Sequence, residues 1–163
     1  MAIKKKRILK KEWPTFIKDF NLQNQFRRAY LLAGKEPIVK EPGLPLIGLA
    51  YEPKARKIEI YFGKDNPHEV MHLAHIVEVP RGLYLIRDDE ASNPVVGLQI
   101  QSAPTTPMTY LYFAKDNPYE VRAEWTSGLA YALFLERGQE HGADQDDWYK
   151  AEKLIEDALK QLL

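Results

Sequence analysis

The chain contains one ten-residue segment twice. Residues 61–70 read YFGKDNPHEV and residues 112–121 read YFAKDNPYEV, so eight of the ten positions are identical. In each copy Asn is followed by Pro, with Glu three residues after the Asn. That pattern is typical of a helix start, where Asn caps, Pro opens the first turn and Glu reaches back to the cap. We therefore predict that each copy ends a strand and begins a helix, with Asn66 and Asn117 as the caps.

The similarity between the two copies extends upstream of this segment. Three earlier stretches also recur, with residues 81–86, 94–98 and 108–113 resembling residues 27–32, 45–49 and 57–62. Apolar and polar residues alternate in both 57–62 and 108–113, as expected for strands with one buried face. The sequence predicts a unit of strand, hairpin and capped helix, present twice, in an antiparallel sheet or partial barrel. A loop is expected near Gly34 to Gly43, because that stretch is punctuated by Gly and Pro.

Helices are predicted at both ends of this repeated region. Residues 11–24 carry apolar side chains at spacings of three and four, which indicates an N-terminal amphipathic helix. A long helix is predicted from Pro118 to near Gly138, and a second from about Asp144, which together form a C-terminal helical hairpin. The expected fold class is α+β. Its expected parts are a basic arm at 1–10, a duplicated domain at 11–121, and the hairpin at 118–163, packed on or beside that domain.

Composition excludes several classes of protein. The chain has 163 residues, 45% of them hydrophobic, which is enough to bury a core. The 23 basic and 23 acidic residues cancel, so no overall field favours nucleic acid or membrane. Cysteine is absent, which excludes disulfides and thiolate metal sites. With no signal peptide pattern and no apolar run near 18 residues, we expect a cytoplasmic protein without a membrane span.

The basic residues are concentrated at the N-terminus. The first eleven residues include six cations and no acid, namely Lys4, Lys5, Lys6, Arg7, Lys10 and Lys11. Such a segment can be solvated, can bind an acidic protein surface, or can bind nucleic acid. Because it contains few apolar side chains to bury, ordering it requires an acidic counterpart. We predict an arm that attaches the chain to a protein partner.

Three tyrosines are the other predicted binding residues. If Ile60 and Leu111 face the core, then Tyr61, Tyr110 and Tyr112 face the opposite way. Tyrosine is enriched in protein interfaces. Two interpretations stay open, since these rings can form an interface or can lie beneath the C-terminal helices.

One short motif raises the question of catalysis. The segment His68-Glu69-Val70-Met71-His72 matches the His-Glu-x-x-His pattern of zinc proteases. The second copy keeps the Glu as Glu120 but has neither histidine, as a capping role predicts. His68, His72 and His75 are spaced for one helix face, but their span of about 10 Å is too long for one ion to bind all three. We expect no cofactor and no catalytic residues, with these three histidines as weak metal candidates.

Two sets of residues resemble uncharacterised families. The stretches 13–20, 44–48, 57–60, 72–76 and 98–100 are similar to a family of small bacterial proteins of unknown function, over about residues 11–113. The C-terminal region resembles a second uncharacterised bacterial motif, a short helical hairpin, over about residues 128–155. Its matching positions are Ala130-Tyr131, Arg137-Gly138, Gly142, Asp144, Asp147-Trp148 and Ala151-Glu152. These resemblances imply a domain layout and a bacterial origin, and no activity.

The predicted function is that of a non-enzymatic protein-binding or structural subunit of a larger bacterial assembly, attached partly through its basic arm. One alternative is a small-ligand or metal-binding protein, including a metal-dependent hydrolase that uses His68, Glu69 and His72. A second alternative is a nucleic-acid-associated factor.

Overall fold

A computed structural model describes residues 3–63, 73–91, 93–114, 118–139 and 142–162. The described strands are β1 (Ile3–Ile8), β2 (Arg28–Ala33), β3 (Glu36–Glu52), β4 (Lys57–Phe62), β5 (Leu73–Glu78), β6 (Gly82–Asp88), β7 (Val95–Gln101) and β8 (Thr109–Phe113). The described helices are α1 (Trp13–Asn24), α2 (Pro118–Glu136) and α3 (Asp144–Leu162), with one 3-10 turn (Lys10–Glu12) before α1. The predicted α+β class is confirmed, as are the N-terminal helix and the C-terminal helical pair.

All described strands lie in one antiparallel sheet. Their order is β1-β6-β7-β8-β2-β3-β4-β5. One hydrophobic cluster includes Ile8 of β1 and Val77 of β5, which belong to the two ends of that order, together with Trp13 and Phe20 of α1. The sheet therefore curves around a single core, and α1 packs on the inner side of the sheet. The opposite side of the sheet carries the tyrosines described below.

The two predicted hairpins pair in the same register. Leu49 of β3 lies opposite Ile60 of β4, and the corresponding Leu98 of β7 lies opposite Leu111 of β8. All four side chains are buried in the core. Residues that correspond in the two sequence copies thus occupy corresponding places in the two hairpins. The predicted caps Asn66 and Asn117 lie outside the described residues.

The strands that precede these hairpins pair differently. Leu85 of β6 lies opposite Leu98 of β7, so an identical unit would place Leu31 of β2 opposite Leu49. Leu31 instead lies opposite Val39, in the first half of β3. The prediction that the whole unit recurs is therefore wrong for its first strand. A tight turn at residues 34–35 folds β3 directly back onto β2, which the second copy does not do.

Residues 36–43 form a strand where the sequence predicted a loop. The prolines and glycine there occupy irregular positions of the β2–β3 ladder, whose register shifts twice. Such irregular positions tolerate proline, which lacks an N–H to donate. Gly43 has a φ of +93°, and a Cβ on it would approach the Ala29 carbonyl oxygen to 2.3 Å. Pro and Gly mark a strand irregularity here rather than a loop.

Asn21 of α1 completes the hydrogen bonding of β3. Its Nδ2 donates to the Leu49 carbonyl at 2.8 Å, and the Leu49 N–H donates to its Oδ1 at 2.8 Å. The side-chain amide thus makes the two bonds that a neighbouring strand would make at this position. Because Asn21 is buried, these bonds satisfy backbone groups that water does not reach.

Replacing Asn21 should therefore destabilise the fold. Asn21→Ala leaves the buried N–H and C=O of Leu49 without partners, and we expect a loss of about 2 kcal/mol or more in the free energy of unfolding. The matched control is Gln23→Ala on the exposed side of the same helix, which should change stability by less than about 0.5 kcal/mol. Chemical denaturation measures both. Equal effects of the two changes would contradict the role assigned to Asn21.

Residues 3–8 form an edge strand where the sequence predicted a separate arm. β1 pairs with β6 from Ile3 opposite Asp88 to Ile8 opposite Leu83. Ile8 is buried, and its carbonyl accepts a hydrogen bond of 2.9 Å from Trp13 Nε1. The lysines do not prevent this arrangement, because a strand pairs through its backbone while its charged side chains remain exposed. Residues 3–8 of the predicted basic arm thus belong to the sheet, while the role of the arm in binding stays a prediction.

This placement makes the N-terminal segment a determinant of stability. Ile8→Ala removes a buried side chain from the core, and we expect a loss of about 2–4 kcal/mol. Ile3→Ala is the matched control on the same strand, since Ile3 is 57% exposed. Thermal denaturation followed by circular dichroism compares the two. If Ile8→Ala melts like the wild type, the strand is held too weakly to belong to the folded domain.

Candidate functional site

The outer side of the sheet carries a group of aromatic and polar residues on adjacent strands. We call this group the tyrosine face, and its members are Lys5, Tyr30, Tyr84, Gln99, Tyr110 and Tyr112. The strand register places them on one side, because Tyr84 lies opposite Gln99, Gln99 opposite Tyr110, and Tyr112 opposite Tyr30. The residues between them, such as Leu83 and Leu111, point into the core. Of its tyrosines, the sequence predicted Tyr110 and Tyr112 but not Tyr30 or Tyr84.

Three rings of the tyrosine face form one aromatic surface. Tyr110 and Tyr112 lie with ring centroids 5.8 Å apart and planes only 7° from parallel. Tyr30 lies on the neighbouring strand, with its ring 5.6 Å from that of Tyr112. All three side chains are half-buried, so each retains surface for contact. The rings thus support one another and leave a shared patch accessible.

Glycines on the same side of the sheet make room for these rings. A Cβ on Gly97 would meet the Tyr112 ring at 3.0 Å and the Leu111 carbonyl oxygen at 2.3 Å. A Cβ on Gly82 would meet the Tyr84 ring at 3.0 Å. The Tyr112 and Tyr84 rings therefore lie close against the backbone. A glycine next to an aromatic ring is a known device for fixing a side chain on a sheet.

Two of the phenol groups have perturbed pKa values. Burial raises the pKa of Tyr30, with a further contribution from the nearby carboxylate of Glu41. Burial also raises the pKa of Tyr112, and neighbouring Tyr110 adds to that effect. Both hydroxyls are thus protonated at neutral pH; that of Tyr30 is hydrogen-bonded to Glu41, whereas that of Tyr112 is able to donate a hydrogen bond to a partner. They are poor candidates for nucleophiles, which need a lowered pKa.

The predicted basic residues of the N-terminal segment divide between the two sides of β1. The Lys5 ammonium lies 4.7 Å from the centroid of the Tyr84 ring. Arg7 lies directly opposite Tyr84 in the register, so it is on the same side as Lys5. Lys4 and Lys6 alternate with them and face the other way. Two exposed cations, Lys5 and Arg7, therefore lie at the β1 end of the tyrosine face, next to Tyr84.

The remaining basic residues have other surroundings. The Lys4 ammonium lies 3.0 Å from the Asp89 carboxylate, and this contact lowers the pKa of Asp89. The Lys10 ammonium lies 5.8 Å from the centroid of the Trp13 ring. Lys11 is exposed in the 3-10 turn that precedes α1. The six predicted cations therefore do not form one binding surface.

Tyr61 belongs to a separate polar cluster. Its hydroxyl donates a hydrogen bond to Glu59, whose carboxylate also lies 2.7 Å from the Lys57 ammonium. Glu52 lies 3.7 Å from that ammonium. Burial, followed by the bond to Glu59, raises the pKa of Tyr61 to about 12. Tyr61 lies on β4 and its hydroxyl is engaged by Glu59, so it does not join the tyrosine face.

The shifted pKa of Tyr61 predicts its titration. Spectrophotometric titration of tyrosinate should show one ionisation near pH 12, which Tyr61→Phe removes. The folded state keeps this proton above the ordinary pKa of 10.0, so Tyr61 lowers the free energy of unfolding as the pH rises from about 10 to 12. The free energy of unfolding of the wild type minus that of Tyr61→Phe should therefore be constant below about pH 10 and should fall between about pH 10 and 12. A difference that does not change with pH would contradict the raised pKa of Tyr61.

The predicted metal residues are only partly placed by the structure. His68, Glu69 and His72 lie outside the described residues. His75 is in strand β5 opposite Ile60, so the expectation that it continues a helix face from His68 is wrong. Burial lowers the pKa of His75. In the part of the chain that the structure describes, no group of three His, Cys, Asp or Glu side chains is arranged to hold a metal ion.

The helical pair is closed by an ion pair across its turn. The Arg137 guanidinium donates to the buried Asp147 carboxylate through Nε at 3.1 Å and Nη2 at 2.9 Å. Ala132 and Ala151 are buried on α2 and α3, and Trp148 donates to Glu152 within α3. Five of these residues are positions of the C-terminal sequence motif, namely Arg137, Asp147, Trp148, Ala151 and Glu152. The motif thus specifies how the two helices pack and turn.

Comparison with known proteins assigns no activity. A family described as a protein of unknown function (DUF2934) matches residues 123–157, which form most of the helical pair. This supports the predicted link to an uncharacterised family, whereas the resemblance over residues 11–113 and the bacterial origin stay predictions. No curated protein and no solved structure matches the chain. Among the described residues, no helix is long and apolar enough to cross a membrane.

Proposed function

We propose that this chain is a non-enzymatic, protein-binding subunit of a larger cytoplasmic assembly in bacteria. We further propose that the tyrosine face is its main contact with a partner. The observation that carries this proposal is the patch of three adjoining, half-exposed tyrosine rings on β8 and β2. Rigid aromatic side chains contribute much of the binding energy in protein interfaces, because they lose little conformational freedom on binding.

The polar groups of this surface favour an acidic partner. Lys5 and Arg7 border the tyrosines and are exposed. The Tyr112 phenol, whose pKa is raised by burial, can donate to a carboxylate or carbonyl oxygen. Cations at the rim of an interface mainly set the rate and salt dependence of association. The partner surface should therefore offer carboxylates next to a flat apolar patch.

A single-stranded nucleic acid is the second candidate partner. Bases stack on aromatic side chains, and the rings of Tyr110 and Tyr112 are nearly parallel. Nucleic-acid binding also depends on neutralising many phosphates, and Lys5 and Arg7 are the two cations of β1 on this side. This observation favours protein over nucleic acid.

The metal-dependent alternative stays a prediction, because His68, Glu69 and His72 lie outside the described residues.

The test is capture of partners from native cells with matched variants. Tyr110→Ser should reduce recovery of the partner about tenfold, since a central interface tyrosine contributes more than about 1 kcal/mol. Tyr149→Ser is the control, because Tyr149 is a well-exposed tyrosine on α3, outside the tyrosine face. Lys5→Gln should weaken binding mainly at low salt, and Lys11→Gln should not.

Two outcomes would overturn the proposal. Equal recovery of partners by wild type and Tyr110→Ser would remove the tyrosine face from the interaction. Loss of all captured material on nuclease treatment, with a steep dependence of binding on salt, would favour the nucleic-acid candidate instead. Circular dichroism of each variant checks that the fold is retained.

A further inference from the structure

Strand β5 ends the strand order and has one edge that no other described strand occupies. It pairs with β4 along its whole length, from Leu73 opposite Phe62 to Glu78 opposite Lys57, without a bulge. From Leu73 to Val77 it carries no charged side chain at neutral pH, because His75 has a lowered pKa. It contains no proline. β5 is therefore a regular strand, uncharged from Leu73 to Val77, with one edge that none of the described strands covers.

The other edge of the sheet is built differently. β1 exposes four consecutive cations, Lys4 to Arg7. Lysines on an edge strand are a common device that prevents another strand from pairing with it. β5 lacks this protection and instead exposes apolar side chains, with Ile76 49% and Val79 44% exposed. The contrast indicates that β5 is the edge that is free to accept a strand.

The end of β5 is held in place by the neighbouring turn. The Val79 N–H donates to the Arg56 carbonyl at 2.7 Å, and Val79 has a φ of +48°. A β-branched residue rarely adopts this conformation, which costs energy. An exposed valine in this strained conformation does not stabilise an isolated monomer. Val79 directly follows β5 and is 44% exposed.

We propose that β5 pairs antiparallel with β5 of a second copy of this chain, about a twofold axis at Ile76. In this register Ile76 lies opposite Ile76 of the other copy, and His75 lies opposite Val77. Leu73 then lies opposite Val79, and Ala74 opposite Glu78. Ile76 and Leu73 thus meet apolar residues, a neutral His75 lies opposite Val77, and each Glu78 lies opposite the small side chain of Ala74.

Charge disfavours registers in which the twofold axis lies closer to Glu78 than Ile76 does. With the axis at Ile76, the two Glu78 residues are four positions apart, or roughly 13 Å. Moving the axis toward Val77 brings them closer, and placing it at Glu78 sets the two carboxylates directly opposite each other, which is destabilising. The sequence from Leu73 to Val79 is therefore complementary to itself about Ile76. Self-complementarity is what a twofold homodimer requires, and such dimers are the commonest protein oligomers.

The proposal predicts a specific pattern of charge substitution. Ile76→Lys and Ile76→Glu each place two like charges opposite one another, so each variant alone should be monomeric. An equimolar mixture of the two places Lys opposite Glu and should restore a dimer, with an affinity at least about tenfold above that of either variant alone. Wild type should be dimeric. Leu22→Lys on α1 is the control, because Leu22 is 70% exposed and lies away from β5, and it should remain dimeric.

Sedimentation equilibrium of each protein and of the mixture measures these states. The fold of each variant is checked by circular dichroism, and Ile76 is exposed enough to tolerate a charged side chain. A wild type that stays monomeric up to about 100 µM overturns the proposal. So does a dimer that persists in Ile76→Lys, or a mixture of the two charged variants that fails to associate. This dimer does not depend on the tyrosine face, so either proposal can fail alone.

Discussion

The fold depends on how one long strand, β3, changes partners along its length. Its first half pairs with β2 and its second half with β4. The backbone N–H and C=O of Leu49 point away from β4. The side-chain amide of Asn21 hydrogen-bonds both of them, in the position where another strand would pair. These two hydrogen bonds fix α1 against the inner side of the sheet. Since the helix covers the inner side, the core forms there and the tyrosines of β2 and β8 face outward.

A buried arginine joins the end of α1 to the second half of the sheet. Arg27 Nη1 donates to the Asn24 side chain at 2.9 Å and to the Val95 carbonyl at 2.8 Å. Its guanidinium carbon lies 3.9 Å from the centroid of the Phe113 ring. Burial lowers its pKa to about 10, which shows the cost of removing this charge from water. Neutral oxygens and an aromatic ring offset that cost, so Arg27 holds α1, β7 and β8 in register beneath the tyrosine face.

Local sequence patterns predicted the elements that depend on local interactions. The alternation of β4 and the apolar spacing of α1 were sufficient, and Pro118 and Asp144 begin the two C-terminal helices as expected. Prediction from the sequence failed where pairing with a strand distant in the sequence determines the structure. β1 forms despite its lysines because β6 supplies hydrogen bonds, and Tyr30 joins Tyr112 only because β2 pairs with β8. Three members of the candidate site, Lys5, Tyr110 and Tyr112, were thus predicted from the sequence, and the other three required the strand order.

The strand order also relates the two proposed interfaces to each other. β5 is at one end of the sheet, whereas the tyrosine face extends over β1, β6, β7, β8 and β2. Pairing through β5 therefore leaves both copies of the tyrosine face uncovered. A dimer of this kind would be bivalent, and it would bind a partner that displays two acidic sites more tightly than one chain can, without any new contact. In such a dimer, pairing through β5 would increase the binding strength of the tyrosine face.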